Sequence, residues 1–109
     1  MDNVYEKTKE IFYDSFNNTA ITELANDFAN SVNGMITSLY RLRDGIHIGV
    51  RFNTDDITEN EILDIFGECA REFVLNQTHD VHQANYVKDN IASLTKRIFI
   101  DSSHFTIII

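Results

Sequence analysis

A chain of 109 residues, 43% hydrophobic and 24% charged, has enough apolar material for one core and too little length for two. It contains no low-complexity stretch, which excludes a disordered protein and points to one globular domain over residues 1–109. The net charge of −8 and pI near 4.7 work against binding to DNA or RNA backbones and to anionic membranes, which call for a surplus of Lys and Arg, and favour a basic protein partner.

A lone cysteine, Cys69, rules out an internal disulfide and leaves no cysteine set for structural zinc. Residues 1–6 lack the basic-then-apolar pattern of a secretion signal, and no apolar run reaches membrane-spanning length. The expected compartment is therefore a reducing cytoplasm, with the Asn17-Asn18-Thr19 and Asn76-Gln77-Thr78 sequons incidental. Absence of Pro and Trp, with many Ile and Asn, fits an AT-rich bacterial or phage genome.

Residues 3–16 place Val4, Thr8, Ile11, Phe12 and Phe16 on one side and Asp2, Glu6, Glu10 and Asp14 on the other, which predicts an amphipathic helix. After the polar break at Asn17-Asn18-Thr19, a second stripe of Ile21, Leu24, Ala25, Phe28 and Val32 predicts another helix. It ends at Asn33-Gly34 in the manner of a left-handed cap.

The period then switches to two: Ile46, Ile48, Val50 and Phe52 alternate with His47, Gly49 and Arg51, as in a half-buried strand. With Arg43-Asp44-Gly45 as a three-residue hairpin loop, Leu42 faces Ile46, Tyr40 faces Ile48 and Ile36 faces Phe52. A two-residue Asp44-Gly45 loop instead sets Arg43 and Arg41 opposite Ile46 and Ile48, so the three-residue loop is preferred.

Thr58-Glu59-Asn60-Glu61 matches a capping box, with Ile57 and Ile62 in the staple positions, and predicts a helix from about Glu59 to Leu75. Residues 76–95 are open between two readings. Ala84, Val87, Ile91 and Leu94 fit a helix, while Asp89-Asn90 suits a turn between two strands. Ile98-Phe99-Ile100 and residues 105–109 flank Asp101-Ser102-Ser103 as a closing hairpin, whose wholly apolar last strand belongs inside a sheet.

The expected fold is α+β: an antiparallel sheet of four or five strands in two hairpins, packed with two N-terminal helices and a central amphipathic helix. From Ile21 to Leu75 the order of helix, Gly34, hairpin with Asp44-Gly45, and helix loosely resembles the roadblock scaffold proteins. The polar 76–95 stretch departs from the apolar strands that such a family needs there, and no membership is taken from it.

Catalytic constellations do not stand out. His79 and His82 are three apart but lack further ligands, Cys69 sits on an apolar helix face between Phe66 and Phe73, and Ser31, Ser38, Ser93, Ser102 and Ser103 lie in no nucleophile elbow. The expectation is a protein that is not an enzyme and uses no cofactor or metal. On the first hairpin Arg41, Arg51 and His47 share the face away from the Ile46, Ile48, Val50 and Phe52 face, with Arg43 at the tip. They form a candidate anion site, or simply solvated strand charges.

The acidic residues are organised. Seven carboxylates (Asp55, Asp56, Glu59, Glu61, Asp64, Glu68, Glu72) stand against one cation, Arg71, between positions 55 and 72. At about 100° per residue, Glu61, Asp64, Glu68 and Glu72 fall in one stripe of the helix. Like charges four apart cost roughly 0.2–0.5 kcal/mol per pair. Burial of Ile62, Leu63, Phe66 and Phe73 contributes about 1.5–3 kcal/mol for each fully covered side chain, so the helix tolerates the stripe.

Glu59 and Glu61 are accounted for as helix-starting residues; Asp64, Glu68 and Glu72 are not. Glu61, Asp64, Glu68 and Glu72 are thus the candidate partner-binding residues of a small inhibitor or immunity protein that meets a basic partner, such as a nuclease-type toxin or a host nucleic-acid enzyme. The alternatives are a self-associating scaffold or adaptor, including a homodimer, and a small-anion-binding domain.

Overall fold

The computed structural model describes residues 3–14, 18–43, 45–52, 57–101 and 103–109. Its elements in chain order are α1 (Asn3–Asp14), α2 (Asn18–Ser31), β1 (Met35–Leu42), β2 (Gly45–Arg51), α3 (Glu59–Thr78), α4 (Val81–Asp89), α5 (Ile91–Leu94), β3 (Arg97–Asp101) and β4 (His104–Ile108). The strands form one antiparallel sheet in the order β1-β2-β4-β3. The architecture is α+β, with two hairpins, two N-terminal helices and the amphipathic α3 between them in sequence.

The helices follow their apolar periods. In α1 Phe12 is fully buried, and the buried Thr8 hydroxyl donates to the Val4 carbonyl at 2.6 Å, so it carries no unmet polar group into the core. In α2 Leu24, Ala25, Phe28 and Ala29 are buried. The helix closes with Gly34 N–H donating to the Ala29 carbonyl and Asn33 N–H to the Asn30 carbonyl, the paired bonds of a Schellman motif. Asn33, at φ 54°, takes the left-handed position rather than Gly34. Gly34 serves a different need: a Cβ there would run into the Arg51 carbonyl and stand 2.8 Å from Val50 Cγ1.

α3 begins with the expected capping box. Thr58 Oγ1 accepts from Glu61 N–H at 3.2 Å, and the Glu61 carboxylate accepts from Thr58 N–H at 3.3 Å. It buries Ile62, Phe66, Cys69, Ala70, Phe73 and Val74. Phe66 meets Phe12 and Phe28 edge-on, at ring separations of 6.4 and 4.9 Å.

Residues 81–89 and 91–94 are helical with a turn at Asn90, so the helix reading of the open 76–95 segment is the correct one, and Ala84, Val87, Ile91 and Leu94 are all buried. Helices stand where the roadblock resemblance needs strands. His79, at φ 56°, ends α3, and the Asp80 carboxylate caps α4 by accepting from His82 and Gln83 N–H.

The first hairpin corrects the expected register. Leu42 pairs with Gly45, Arg41 with Ile46, Tyr40 with His47 and Leu39 with Ile48, one step from the three-residue-loop prediction. The ladder shifts between Ile36 and Ser38, so that Ile36 pairs with Val50. Ile36 and Leu39 are three apart, and both reach the core face only because Thr37 is an extra residue, a β-bulge. The expected pairing assumed unbroken alternation and so turned Tyr40 and Leu42 inward; both face out.

β4 lies inside the sheet, as its composition requires, with Phe105 and Ile107 fully buried. Beyond it, Ile109 exchanges two backbone bonds with Ile46. One cluster joins buried residues of all five helices to Ile46, Ile48, Val50, Phe105 and Ile107, which places the helices against one face of the sheet. The other face carries Tyr40, Leu42, Met35 and Phe99, exposed by 49, 53, 65 and 51%. No helix among the described residues is long and apolar enough to cross a membrane.

Candidate partner-binding face

The stripe of α3 forms an exposed ridge between α2 and α4. Glu61, Asp64, Glu68 and Glu72 are all exposed, while Asp55 and Asp56 lie outside the described residues. The four have different surroundings. Glu61 is held in the capping box by Thr58. Glu68 pairs with Lys88 of α4, and this hydrogen-bonded ammonium holds its carboxyl below the ordinary range, with weaker help from Arg71. Glu72 accepts from Arg71 at 2.8 Å, and Arg71 donates onward to Asn85 of α4 at 2.9 Å. Asp64 lines a cleft of about 410 Å³ with Asn60, Leu63, Gly67, Lys88 and Asp89.

Lys88 and Arg71 thus give Glu68 and Glu72 a structural use, tying α4 to α3, that the sequence spacing leaves out. These surface pairs are exposed and contribute little each. Asp64 has no such partner among the described residues.

The structure also adds a carboxylate from another helix. Burial pushes the Cys69 thiol above its ordinary pKa. The Ser31 hydroxyl, 3.5 Å away, opposes that shift, and the charges of Asp27, Glu68 and Glu72 reinforce it. Asp27 of α2 therefore belongs to the same electrostatic neighbourhood as Glu68 and Glu72. Its distance in sequence from α3 hides this, and only the packing of α2 on α3 brings it in. Cys69 is buried, with 9% of the residue exposed, which suits packing and opposes nucleophilic use.

The candidate anion site is taken apart by the register. His47 and Arg51 face outward, but Arg41 pairs with Ile46 and belongs to the core-side row at the sheet edge. Arg41 does not join them. His79 and His82 stand exposed at the α3–α4 junction, where their backbone N–H groups take part in the helix caps, and no group of three or more metal-ligating side chains occurs among the described residues.

Of the serines, Ser31 bonds to the Asp27 carbonyl and Ser93 to the Asn90 carbonyl, while Ser38 is on the outer sheet face; Ser102 lies outside the described residues. Comparison with protein-family models, curated proteins and solved structures finds no match to this chain.

Proposed function

We propose that the protein is a non-enzymatic binding protein that inhibits or neutralises a basic protein partner, in the manner of a cytoplasmic bacterial immunity protein or a phage inhibitor. The observation that supports this reading is the exposed acidic ridge of α3, Asp64, Glu68 and Glu72, widened by Asp27 from α2. A capped helix of 20 residues presents it rigidly. Negative charge in this form speeds encounter with a basic surface and fixes its orientation. Nuclease-type toxins and host nucleic-acid enzymes offer such surfaces, because they must neutralise phosphates.

The test uses Asp64→Lys with Asp27→Lys, two positions free of the capping and α4-tying roles of Glu61, Glu68 and Glu72. Partners captured from the native host are titrated against the wild type and the folded variant at low and moderate salt. Weaker binding by the variant, with a flatter salt dependence, supports the reading; unchanged affinity removes it.

A second reading, self-association as a scaffold or homodimer, draws on the exposed Met35, Tyr40 and Leu42 of edge strand β1. Light scattering over a concentration series decides it, with a monomer throughout counting against it.

A further inference from the structure

Net charge averages away a division within this molecule. The segments that build the sheet, 35–52 and 96–109, contain five cations (Arg41, Arg43, Arg51, Lys96, Arg97) against two acids (Asp44, Asp101). The rest of the chain holds the other fifteen acids and four cations. The sheet-building segments are cationic and the rest of the chain is strongly anionic.

Register resolves the outer sheet face into rows. One crosses the sheet as Tyr40, His47, Ile108 and Arg97, the next as Ser38, Gly49, Thr106 and Phe99, and a third as Met35, Arg51, His104 and Asp101. Tyr40 and Phe99 stand on the two edge strands, three strand spacings or about 14 Å apart across the sheet. Between them Gly49 has no side chain, and the Thr37 hydroxyl and the His104 imidazole meet over it.

Each exposed ring has a flat companion. Tyr40 stacks on the His47 imidazole at 5.1 Å and 16°, and the Arg97 guanidinium lies over Phe99 at 5.8 Å. Among the described residues neither Arg51 nor Arg97 is in an ion pair. Asp101 is the one acid in these rows.

We infer that this face binds single-stranded nucleic acid. Two exposed aromatic platforms suit unpaired bases, which stack on side-chain rings, while Arg51 and Arg97 suit the phosphates that link them. A duplex keeps its bases stacked inside and offers this surface only charge. An acidic protein would satisfy the arginines but makes no comparable use of two flat platforms. The acids on the described helices oppose binding weakly, since they belong to the helical layer on the other side of the sheet and the screening length at physiological salt is about 8 Å. This site is on the opposite side of the sheet from the α3 ridge, so either proposal stands or falls without the other.

Fluorescence anisotropy of labelled oligothymidylate and oligouridylate, each of about ten nucleotides, tests the inference against a duplex of the same length. The expected result is saturable binding of one or both single strands, at least about tenfold tighter than the duplex, with a shallow salt slope because few phosphates are neutralised. Tyr40→Leu and Phe99→Leu keep apolar bulk at exposed positions and remove the rings; each should weaken binding by about fivefold or more in a variant with unchanged melting temperature. Arg51→Gln should weaken it and flatten the salt slope further. Glu68→Gln, on the far side, should leave it unchanged.

Absence of saturable binding up to about 100 µM overturns the inference, that being the weak end of nonspecific affinity. Equal affinity for single strand and duplex overturns it as well. So does a dimer in light scattering that Tyr40→Leu dissociates while oligonucleotide binding is unaffected, since the face would then belong to a second copy.

Discussion

The Thr37 hydroxyl and the His104 Nε2 meet at 2.7 Å across the width of β2, over Gly49. Thr37 is the bulged residue of β1, and His104 lies on β4, so the contact ties together two strands that are not neighbours in the sheet. It exists because the strand between them has no side chain at the crossing point. A Cβ on Gly49 would stand 3.0 Å from the Thr37 hydroxyl and 3.4 Å from the imidazole nitrogen, and would press on the Ser38 hydroxyl.

Gly49→Val is therefore expected to break the Thr37–His104 contact and destabilise the fold by about 1–3 kcal/mol. Gly49→Ala should cost less, because the Ser38 hydroxyl can rotate away. Urea midpoints of the two variants check the ranking.

Asn33→Ala should cost about 1 kcal/mol, since alanine is strained in the left-handed conformation that ends α2, whereas Asn33→Gly should be tolerated. Thr58→Ala and Asp80→Ala each remove a helix N-cap, at about 1 kcal/mol apiece. Thermal or urea unfolding of the four single variants measures these effects. A loss for Asn33→Gly equal to that of Asn33→Ala would contradict the assigned cap.

Phe66→Ala empties the space where α3 meets Phe12 and Phe28, and an expected loss of about 3–5 kcal/mol is a large part of a small domain's stability. Loss of cooperative unfolding in circular dichroism would show it.

Glu68 has its carboxyl pKa lowered in the folded chain by Lys88. The unfolded carboxyl titrates near 4.3. The Glu68–Lys88 contribution is thus complete above that pH and disappears as the pH falls through the lower folded value. The difference in urea midpoint between the wild type and Glu68→Gln should be small at pH 7 and vanish in strong acid.

Cys69 behaves in the opposite sense. Its folded pKa is raised, chiefly by burial, so the unfolded thiol ionises first, near pH 8.5. Below that pH both states keep the proton; above it the unfolded chain is favoured and stability falls. The wild type should lose more stability than Cys69→Ala between pH 7 and 10, and native Cys69 should react with iodoacetamide far more slowly than in urea.

Elements with their own end signals are legible in the sequence. The Thr58–Glu61 capping box locates α3 because both bonds are local, and the apolar 105–109 run places β4 inside the sheet because no polar face is available to it. The hairpin register is not legible, because it depends on a bulge whose only trace is the three-residue spacing of Ile36 and Leu39. Arg41 moves away from His47 and Arg51 for that reason. The stripe of Glu61, Asp64, Glu68 and Glu72 is visible from period alone. The pairing of Glu68 with Lys88 and the approach of Asp27 are not, since both depend on how separate helices pack.

β4, the last strand in chain order, fills the gap between β2 and β3, and this has a consequence for folding during synthesis. Until 104–108 leaves the ribosome, β2 has an open edge and its Ile46, Ile48 and Val50 lack half their sheet. Such unpaired, apolar strands invite mispairing. Long-range closure of this kind is slow, because the chain must order a large loop before any pairing rewards it. The helices and the first hairpin are thus expected to wait, loosely formed, for the final strand. Hydrogen exchange on a fragment ending before residue 104 should find the β2 amides unprotected.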